Sequence, residues 1–236
     1  MGRVWGAILI GAGAVLWYYG GTGGNGYIVN LGLGSMILGL VLAALPSSGH
    51  VEKDALYMSC GSFPGFVENM KRDAGLKGPP VVIPPYENLP TGGIFLPESE
   101  NPSPNLGRMF SKTTFVTGSR NEAGILLTPP PGWGIIEYTL ENVGELQGSV
   151  GYAASAVSSV LSAFGLSSAK VFENGRRIEL FVKPLCGDYV SDPAVSAMLL
   201  SVAMGKNELL KVNSIEKVRD HLKITLEPMG GVERWL

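Results

Sequence analysis

The chain has few of the residues that carry most enzyme chemistry. Its 236 residues include two cysteines and two histidines, and no CxxC pair occurs. This excludes a disulfide-dense extracellular scaffold and a cysteine zinc ribbon. The chain also lacks four common motifs: HExxH of zinc proteases, GxSxG of serine hydrolases, the phosphate-binding P-loop and the dinucleotide-binding fingerprint. The sequence therefore predicts no metal and no cofactor, and favours a non-catalytic role.

Charge is missing from the first part of the chain. No Asp, Glu, Lys or Arg lies between Arg3 and His50, and two apolar segments, 4–19 and 27–45, flank a glycine-rich loop. At about 1.5 Å per residue the second segment is about 28 Å long, close to the hydrocarbon thickness of a bilayer. We therefore expect a transmembrane helical hairpin over residues 1–49. A cleaved signal peptide followed by one span, and a hairpin buried in a soluble protein, are the alternatives.

Small residues at four-residue spacing suggest how the two spans pack. Ala7 with Gly11, and Ser35 with Gly39, form small-xxx-small pairs that allow close approach of the two backbones. The alternative is that these residues are simply common in membrane helices. We take the four residues as candidate packing positions.

The positive charges predict an orientation. Arg3 and Lys53 flank the hairpin, whereas its connecting loop has no positive charge. The positive-inside rule then predicts a multi-pass protein of the cell membrane, with both termini and the soluble part in the cytoplasm. In that reducing compartment Cys60 and Cys186 are expected to remain thiols, although hyperthermophilic archaea are an exception. A single bridge between the two cysteines is the alternative.

A strong basic field is also missing. Without Arg3, the rest of the chain has 17 basic and 20 acidic residues, a net charge of about −3. The doublets Lys71-Arg72 and Arg176-Arg177 are isolated. A solvated surface explains them better than a phosphate-binding stripe, so nucleic acid is not an expected partner.

Composition divides the remaining chain. Residues 50–145 are rich in proline and glycine, and because proline removes backbone donors we expect only short strands and helices there. The apolar clusters 81–83 and 94–96 are too concentrated for a disordered linker and predict short strands. Residues 146–228 are expected to form an α+β domain, followed by a tail at 229–236.

The pattern from residue 146 onward is the clearest in the chain. A small-residue helix over 150–164 precedes two strands at 169–172 and 178–182, and Asn174-Gly175 is a strong hairpin signal between them. Asp192 and Pro193 then predict a helix start, with Gly205 as its end and two further strands after it. The order α-β-β-α-β-β reads as a quasi-repeat in which two helices cover a four-stranded antiparallel sheet. We expect it to fold independently.

Several short segments of the chain carry a resemblance: the two spans, Ile83-Pro84-Pro85-Tyr86, the segment 93–97 (GIFLP) and the segment 124–132 (GILLTPPPG). Together they resemble uncharacterised archaeal membrane proteins with two N-terminal transmembrane helices. The resemblance covers most of the chain through short strings. It implies an archaeal source and no known activity, site residue or cofactor.

The sequence contains no strong candidate for a catalytic residue. Cys186 lies shortly before a predicted helix N-terminus that could stabilise a thiolate, but a half-buried structural cysteine explains it better. His50 and His221 belong to no motif. Asp188 and Asp192 are too few oxygen ligands for calcium, and helix capping explains Asp192.

Three residues are candidates for interaction. Trp133 lies in a Pro/Gly loop, where it could contact lipid headgroups or a partner, or could anchor the loop by burial. Glu137 and Glu141 fall on one face of the following predicted helix. This face could bind a cation or a partner, or it could simply be exposed to solvent.

The sequence leaves two functions open. The first is a membrane-anchored, non-catalytic interaction or accessory module, which could be a subunit of a larger membrane complex. Its partners would be the lipid bilayer and a protein partner or a second copy. The alternative is a membrane-associated enzyme or small-ligand sensor with a pocket near the proline-rich region. A deep pocket with convergent polar groups, particularly beside Cys186 or His221, would favour the alternative.

Overall fold

The structure, a computed structural model, describes residues 2–44, 60–187 and 189–236. The chain forms two compact units, Met1–Val51 and Glu52–Leu236. The first unit contains a pair of helices, and the second is an α+β domain. The predicted combination of an N-terminal helix pair with an α+β domain is confirmed.

The first unit is a helical hairpin. Helix α1 (Gly2–Thr22) and helix α2 (Gly26–Ala44) are joined by a turn of three residues. Within α2, Gly26–Ala43 is long and apolar enough to cross a membrane, and it is the one candidate span among the described residues. A signal sequence or the core helix of a soluble protein meets the same criterion. The structure thus gives one candidate where the sequence predicts two spans.

Glycines at seven-residue spacing bring the two backbones together. Gly6, Gly13 and Gly20 are buried in α1, and Gly32 and Gly39 are buried in α2. A methyl group on Gly13 would lie 2.7 Å from the carbonyl oxygen of Gly32, and one on Gly39 would lie 2.7 Å from that of Gly6. Seven residues are close to two helical turns, so each set forms one stripe along its helix.

The predicted packing residues are only partly on these stripes. Gly39 is buried in the contact and Ser35 is half-buried, whereas Ala7 and Gly11 are exposed. Nothing lies within 4 Å of the position that a methyl group on Gly11 would take. The Ala7–Gly11 pair therefore does not mark the contact face of α1, because the close approach follows Gly6, Gly13 and Gly20.

The second unit is built on one eight-stranded antiparallel sheet. In chain order the strands are β1 (Val81–Ile83), β2 (Gly93–Pro97), β3 (Phe115–Val116), β4 (Gly124–Leu127), β5 (Ala169–Asn174), β6 (Arg177–Val182), β7 (Glu208–Val218) and β8 (His221–Gly231). Their spatial order is β3-β4-β2-β1-β7-β8-β6-β5.

The prediction of a four-stranded sheet is wrong. Strands β5 to β8 are adjacent as expected, but β1 pairs with β7 through Val81–Lys211 and Val82–Leu210. This pairing adds β1 to β4 to the same sheet. The sheet therefore crosses the expected boundary between 50–145 and 146–228.

Helices cover one face of the sheet. The helices of this unit are α3 (Ser62–Asp73), α4 (Trp133–Val143), α5 (Val150–Ala163) and α6 (Pro193–Lys206), with short 3-10 helices at Leu106–Arg108 and Val232–Arg234. Helices α5 and α6 pack on each other, and α4 contacts both. Helix α6 is the most deeply buried of those that contact the sheet, because every residue from Ala194 to Gly205 is buried.

Helix α6 begins as predicted and ends later. The Asp192 side chain caps it, and Pro193 is its first residue. Gly205 does not end it, because this residue packs against α5, where a methyl group would lie 2.7 Å from the carbonyl oxygen of Ser149. The helix ends at Lys206, and the capping residue Asn207 adopts the left-handed conformation with φ of 54°.

Alternate residues of the inner strands face two separate cores. Val82 and Ile94 face the core between helices and sheet, whereas Val81 and Phe95 face a second core on the other side. Trp235 packs on this second core, and Tyr86 donates to the carbonyl oxygens of Leu106 and Met109, each at 2.9 Å. The uninterrupted apolar runs of β1 and β2 follow from burial on both faces.

The expectation that the cysteines are thiols is wrong. Cys60 and Cys186 form a disulfide across 126 residues, with their Cα atoms 5.9 Å apart. The bond joins the start of the domain to the loop between β6 and α6. The sequence spacing could not show this pairing, because the contact exists only once α3 packs beside that loop, where Gly187 lies against Pro64.

Candidate functional site

The loop that carries Cys186 is organised for structure. The Asp192 carboxylate accepts hydrogen bonds from the backbone N–H groups of Leu185 at 2.8 Å and Gly187 at 3.1 Å, and also from that of Cys186. Its other oxygen caps α6. Burial raises the pKa of the Asp192 carboxyl above its ordinary value, and these hydrogen bonds oppose the rise. Because Cys186 is disulfide-bonded, it offers no nucleophile.

The other predicted site residues do not converge. Trp133 is half-buried and packs against the main core at the start of α4. Glu137 and Glu141 are exposed on α4. His50 and Asp188 lie outside the described residues. Within the described ranges, no three His, Cys, Asp or Glu side chains are grouped so that they could hold a metal.

His221 is different, because it lies beside an open edge of the sheet. Strand β5 ends the order of strands and pairs with β6 alone, from Ala169–Val182 to Asn174–Arg177. The turn between them is Gly175-Arg176, one residue later than the expected Asn174-Gly175. Alternate residues of an edge strand point their backbone groups away from the neighbouring strand.

The contacts of Ala169 show which backbone groups of β5 point away from β6. The Ser158 hydroxyl donates to the Ala169 carbonyl oxygen at 3.0 Å and accepts from the Ala169 N–H at 3.3 Å. Both groups of Ala169 therefore point away from β6. The N–H and carbonyl groups of Val171 and Glu173 also point away from β6, because the direction of these groups repeats every two residues along a strand. Their outward backbone groups are available to a further strand.

A groove runs along each face of β5. On the helix side, a groove of about 450 Å³ lies between β5 and α5, and serines of α5 form much of its wall. On the opposite side, a groove of about 500 Å³ is lined by Phe172, Phe181 and the tip of the β7–β8 hairpin. The Phe172 and Phe181 rings meet edge to face at 5.8 Å, and Phe172 is 54% exposed.

The second groove has a basic end. Lys170, Arg219 and His221 line it together with Ser168, whose Oγ lies 3.3 Å from Nε2 of His221. Arg219 occupies the hairpin turn with φ of 56°, a conformation that favours Gly, Asn or Asp. Neither Lys170 nor Arg219 has an ion-pair partner in the described part of the chain.

The nearby carboxylates are engaged elsewhere. Asp220 lies 3.9 Å from Lys183, and Glu179 lies 2.8 Å from Lys223. At the far end of β5, Glu173 pairs with Lys206 at 2.8 Å. The hydrogen bond to Glu173 raises the pKa of Lys206 above its ordinary value. The groove is therefore basic at the start of β5, where it has no acidic lining residue.

A further groove lies where the sequence alternative places a pocket, beside the proline-rich region. It has a volume of about 470 Å³ and is lined by Pro79 and Pro80, by Lys71, Lys77 and Lys211, and by Glu100 and Tyr189. Lys71 already donates to the Tyr189 hydroxyl at 3.0 Å. The groove is open and polar, without the deep apolar enclosure that is typical of a small-molecule site.

No known protein family, curated protein or solved structure matches the chain. Its function must therefore be inferred from the surface itself. The sequence pattern identifies the β5–β6 hairpin but not the edge position of β5, since strand order depends on long-range pairing. The available signal was Phe172, an apolar residue that directly precedes Glu173 and lies two positions after Lys170.

Proposed function

We propose that this protein is a membrane-anchored, non-catalytic docking module that binds an extended segment of a protein partner along β5. The observation that carries the proposal is the open edge of this strand, with a groove along each of its faces. Added strands gain affinity from backbone hydrogen bonds and specificity from pockets for alternate side chains. The β5 edge supplies both.

The other edge of the sheet is a poorer candidate. Strand β3 has only two residues, Phe115 and Val116, so it offers few backbone groups to a partner. A very short strand is one of the ways in which proteins protect an edge from unwanted pairing. Strand β5 has six residues and lacks this protection. The asymmetry favours β5 as the docking edge.

Anchoring is proposed through the helical hairpin. Helix α2 meets the length and composition of a span, and α1 packs along it through the glycine stripe. Close packing by small residues is typical of helices in membranes. In this proposal both helices cross the bilayer, and the domain lies in the cytoplasm because Arg3 and Lys53 flank an uncharged loop. The disulfide argues for the opposite side, since disulfides persist best in oxidising compartments.

The docking proposal is tested by removing one outward N–H group. Val171→Pro deletes a donor on the open side while leaving the ladder to β6 unaffected, as edge strands tolerate proline at such positions. The full chain in lipid nanodiscs would first be used to select binders from displayed random peptides. We expect Val171→Pro to weaken the selected peptides at least tenfold, and Val171→Thr, which keeps the N–H, to bind normally.

A second experiment changes the peptide instead of the protein, so that its result cannot reflect misfolding of a protein variant. A selected peptide is methylated on alternate backbone nitrogens and measured against the unchanged protein. Strand addition predicts that methylation in one phase abolishes binding and that methylation in the other phase is tolerated, because only every second N–H faces β5. Equal tolerance of both phases, or full binding by Val171→Pro, would contradict docking at β5.

The small-ligand alternative keeps one supporting observation, the three lysines of the groove beside Pro79. If that groove binds a small anion, inorganic phosphate should raise the melting temperature of the full chain, and Lys77→Gln should abolish the increase. No increase at millimolar phosphate would count against this second function.

A further inference from the structure

We infer that the segment docked on β5 is the C-terminal end of another protein, with its free carboxylate bound at Lys170 and Arg219. The inference rests on the proposed docking function and adds the class of partner. It depends on strand direction, on the point where an added strand must end, and on the charge at that point.

Strand direction places the end of a partner at the basic end of the groove. All pairs in this sheet are antiparallel, including β5 with β6. Antiparallel pairing is also the slightly more stable arrangement. A strand added to β5 in this way runs from Asn174 toward Ala169. Its C-terminal end therefore arrives beside Lys170.

Ser158 limits how far an added strand can continue. Its hydroxyl already bonds both the N–H and the carbonyl oxygen of Ala169. A partner strand can pair with the outward groups of Glu173 and Val171 but finds those of Ala169 occupied. Backbone pairing must end at this position, which suits a chain terminus better than an internal segment.

The charges at this position suit a carboxylate. Lys170 and Arg219 line the groove without an ion-pair partner among the described residues, and Ser168 and His221 add further polar groups. An arginine can bind a carboxylate with two parallel hydrogen bonds. Arg219 has φ of 56°, a conformation that glycine adopts more easily.

The aromatic wall adds a preference for an apolar side chain. Phe172 and Phe181 are on the same face as Lys170, because Lys170 pairs with Phe181 and Phe172 lies two residues along β5. The segment that fits is thus short and extended, with an apolar residue close to a free C-terminus. The segment around Trp235 does not supply this strand, because Trp235 packs against the second core and its carbonyl oxygen accepts from Leu106 N–H at 2.9 Å.

Two displayed libraries of random peptides test this inference on the full chain in nanodiscs. One presents free C-termini, and the other attaches the peptides through their C-termini. We expect β5-dependent binders from the first library. A selected peptide made as its C-terminal amide should bind at least about tenfold more weakly than the acid, as loss of a charge-assisted hydrogen bond predicts.

Variants locate the effect. Lys170→Gln and Arg219→Gly should each reduce the affinity of the acid toward that of the amide, while Lys112→Gln, the same charge change at an exposed residue outside the groove, should not. Arg219→Gly should keep or raise the melting temperature, because glycine suits this turn. A loss of binding with this variant is then not a folding defect.

The outcomes separate the two proposals. Equal binding of acid and amide, with Val171→Pro still abolishing both, would overturn the carboxylate inference and leave docking intact. Binders that contain an internal Asp or Glu and tolerate amidation would do the same. Failure of both libraries to give any β5-dependent binder would contradict docking itself, and the inference with it.

Discussion

At the scale of single residues, the buried carboxylate of Asp192 holds two elements in place. It caps α6 through the N–H groups of Ala194 and Val195, and it accepts from three N–H groups of the loop that carries Cys186. The sequence predicted the cap from the Asp-Pro pair. It could not predict the loop contacts, because that loop folds back onto the helix start only in the complete domain.

We predict that Asp192→Asn destabilises the protein by about 2 to 4 kcal/mol, since an amide cannot accept from both sets of N–H groups and a buried unsatisfied donor costs about 1 to 3 kcal/mol. Chemical denaturation of the two proteins measures the difference. The neighbouring Ser191→Ala is the control, because the buried Ser191 hydroxyl has no hydrogen-bond partner among the described residues. An equal loss in both variants would show that the cap and loop contacts are not the cause.

Tyr86 gives a prediction about pH. Burial raises its pKa from 10.0 to about 12, and its hydroxyl donates to carbonyl oxygens near the second core. Since the folded pKa is above the unfolded value, its contribution to stability is complete below pH 10 and is lost as the pH rises toward 12. In an absorbance titration of tyrosinate, Tyr86→Phe should remove a late step that the exposed control Tyr138→Phe retains. A late step that survives in Tyr86→Phe would refute the assignment.

At the scale of elements, the hairpin depends on its glycine stripe. We predict that Gly13→Leu separates α1 from α2 by about 2 Å, because interaxial distance follows the size of the contact residues. Gly11→Leu is the matched control, as it places the same side chain on the same helix where nothing lies within 4 Å. Distances between spin labels at Ala12 and Leu33, both exposed, would measure the separation. Equal distances in the two variants would contradict the role of the stripe.

Local signals predicted individual elements better than their assembly. The runs 81–83 and 94–96, the Asp192-Pro193 helix start and the β5–β6 hairpin all come from short-range chemistry, and the structure contains each of them. The eight-stranded sheet requires Val81 to meet Lys211 across about 130 positions of sequence, and no turn signal encodes such a contact. The open edge could not be predicted for the same reason, because β5 is an edge only by virtue of the order of the other strands.

At the scale of the whole molecule, the positive residues and the disulfide predict opposite sides of the membrane for the α+β domain. The positive residues predict a cytoplasmic domain, whereas the Cys60–Cys186 disulfide is expected in an oxidising compartment. We predict that Arg176→Cys, in the exposed β5–β6 turn, reacts with a membrane-impermeant maleimide only after cells are permeabilised. The unsubstituted protein, in which both cysteines are disulfide-bonded, is the control for background labelling. Labelling of Arg176→Cys in intact cells would place the domain outside.

Amide hydrogen exchange measures the pairing of a partner strand with β5 without a further assumption. In the free full chain, the amides of Val171 and Glu173 should exchange fast and those of Lys170 and Phe172 slowly, because only the N–H groups of Lys170 and Phe172 point toward β6. Addition of a selected peptide should slow exchange at Val171 and Glu173 at least tenfold and leave Ala169, already bonded to Ser158, unchanged. Peptide binding that leaves both amides exchanging at their free rates would contradict the account.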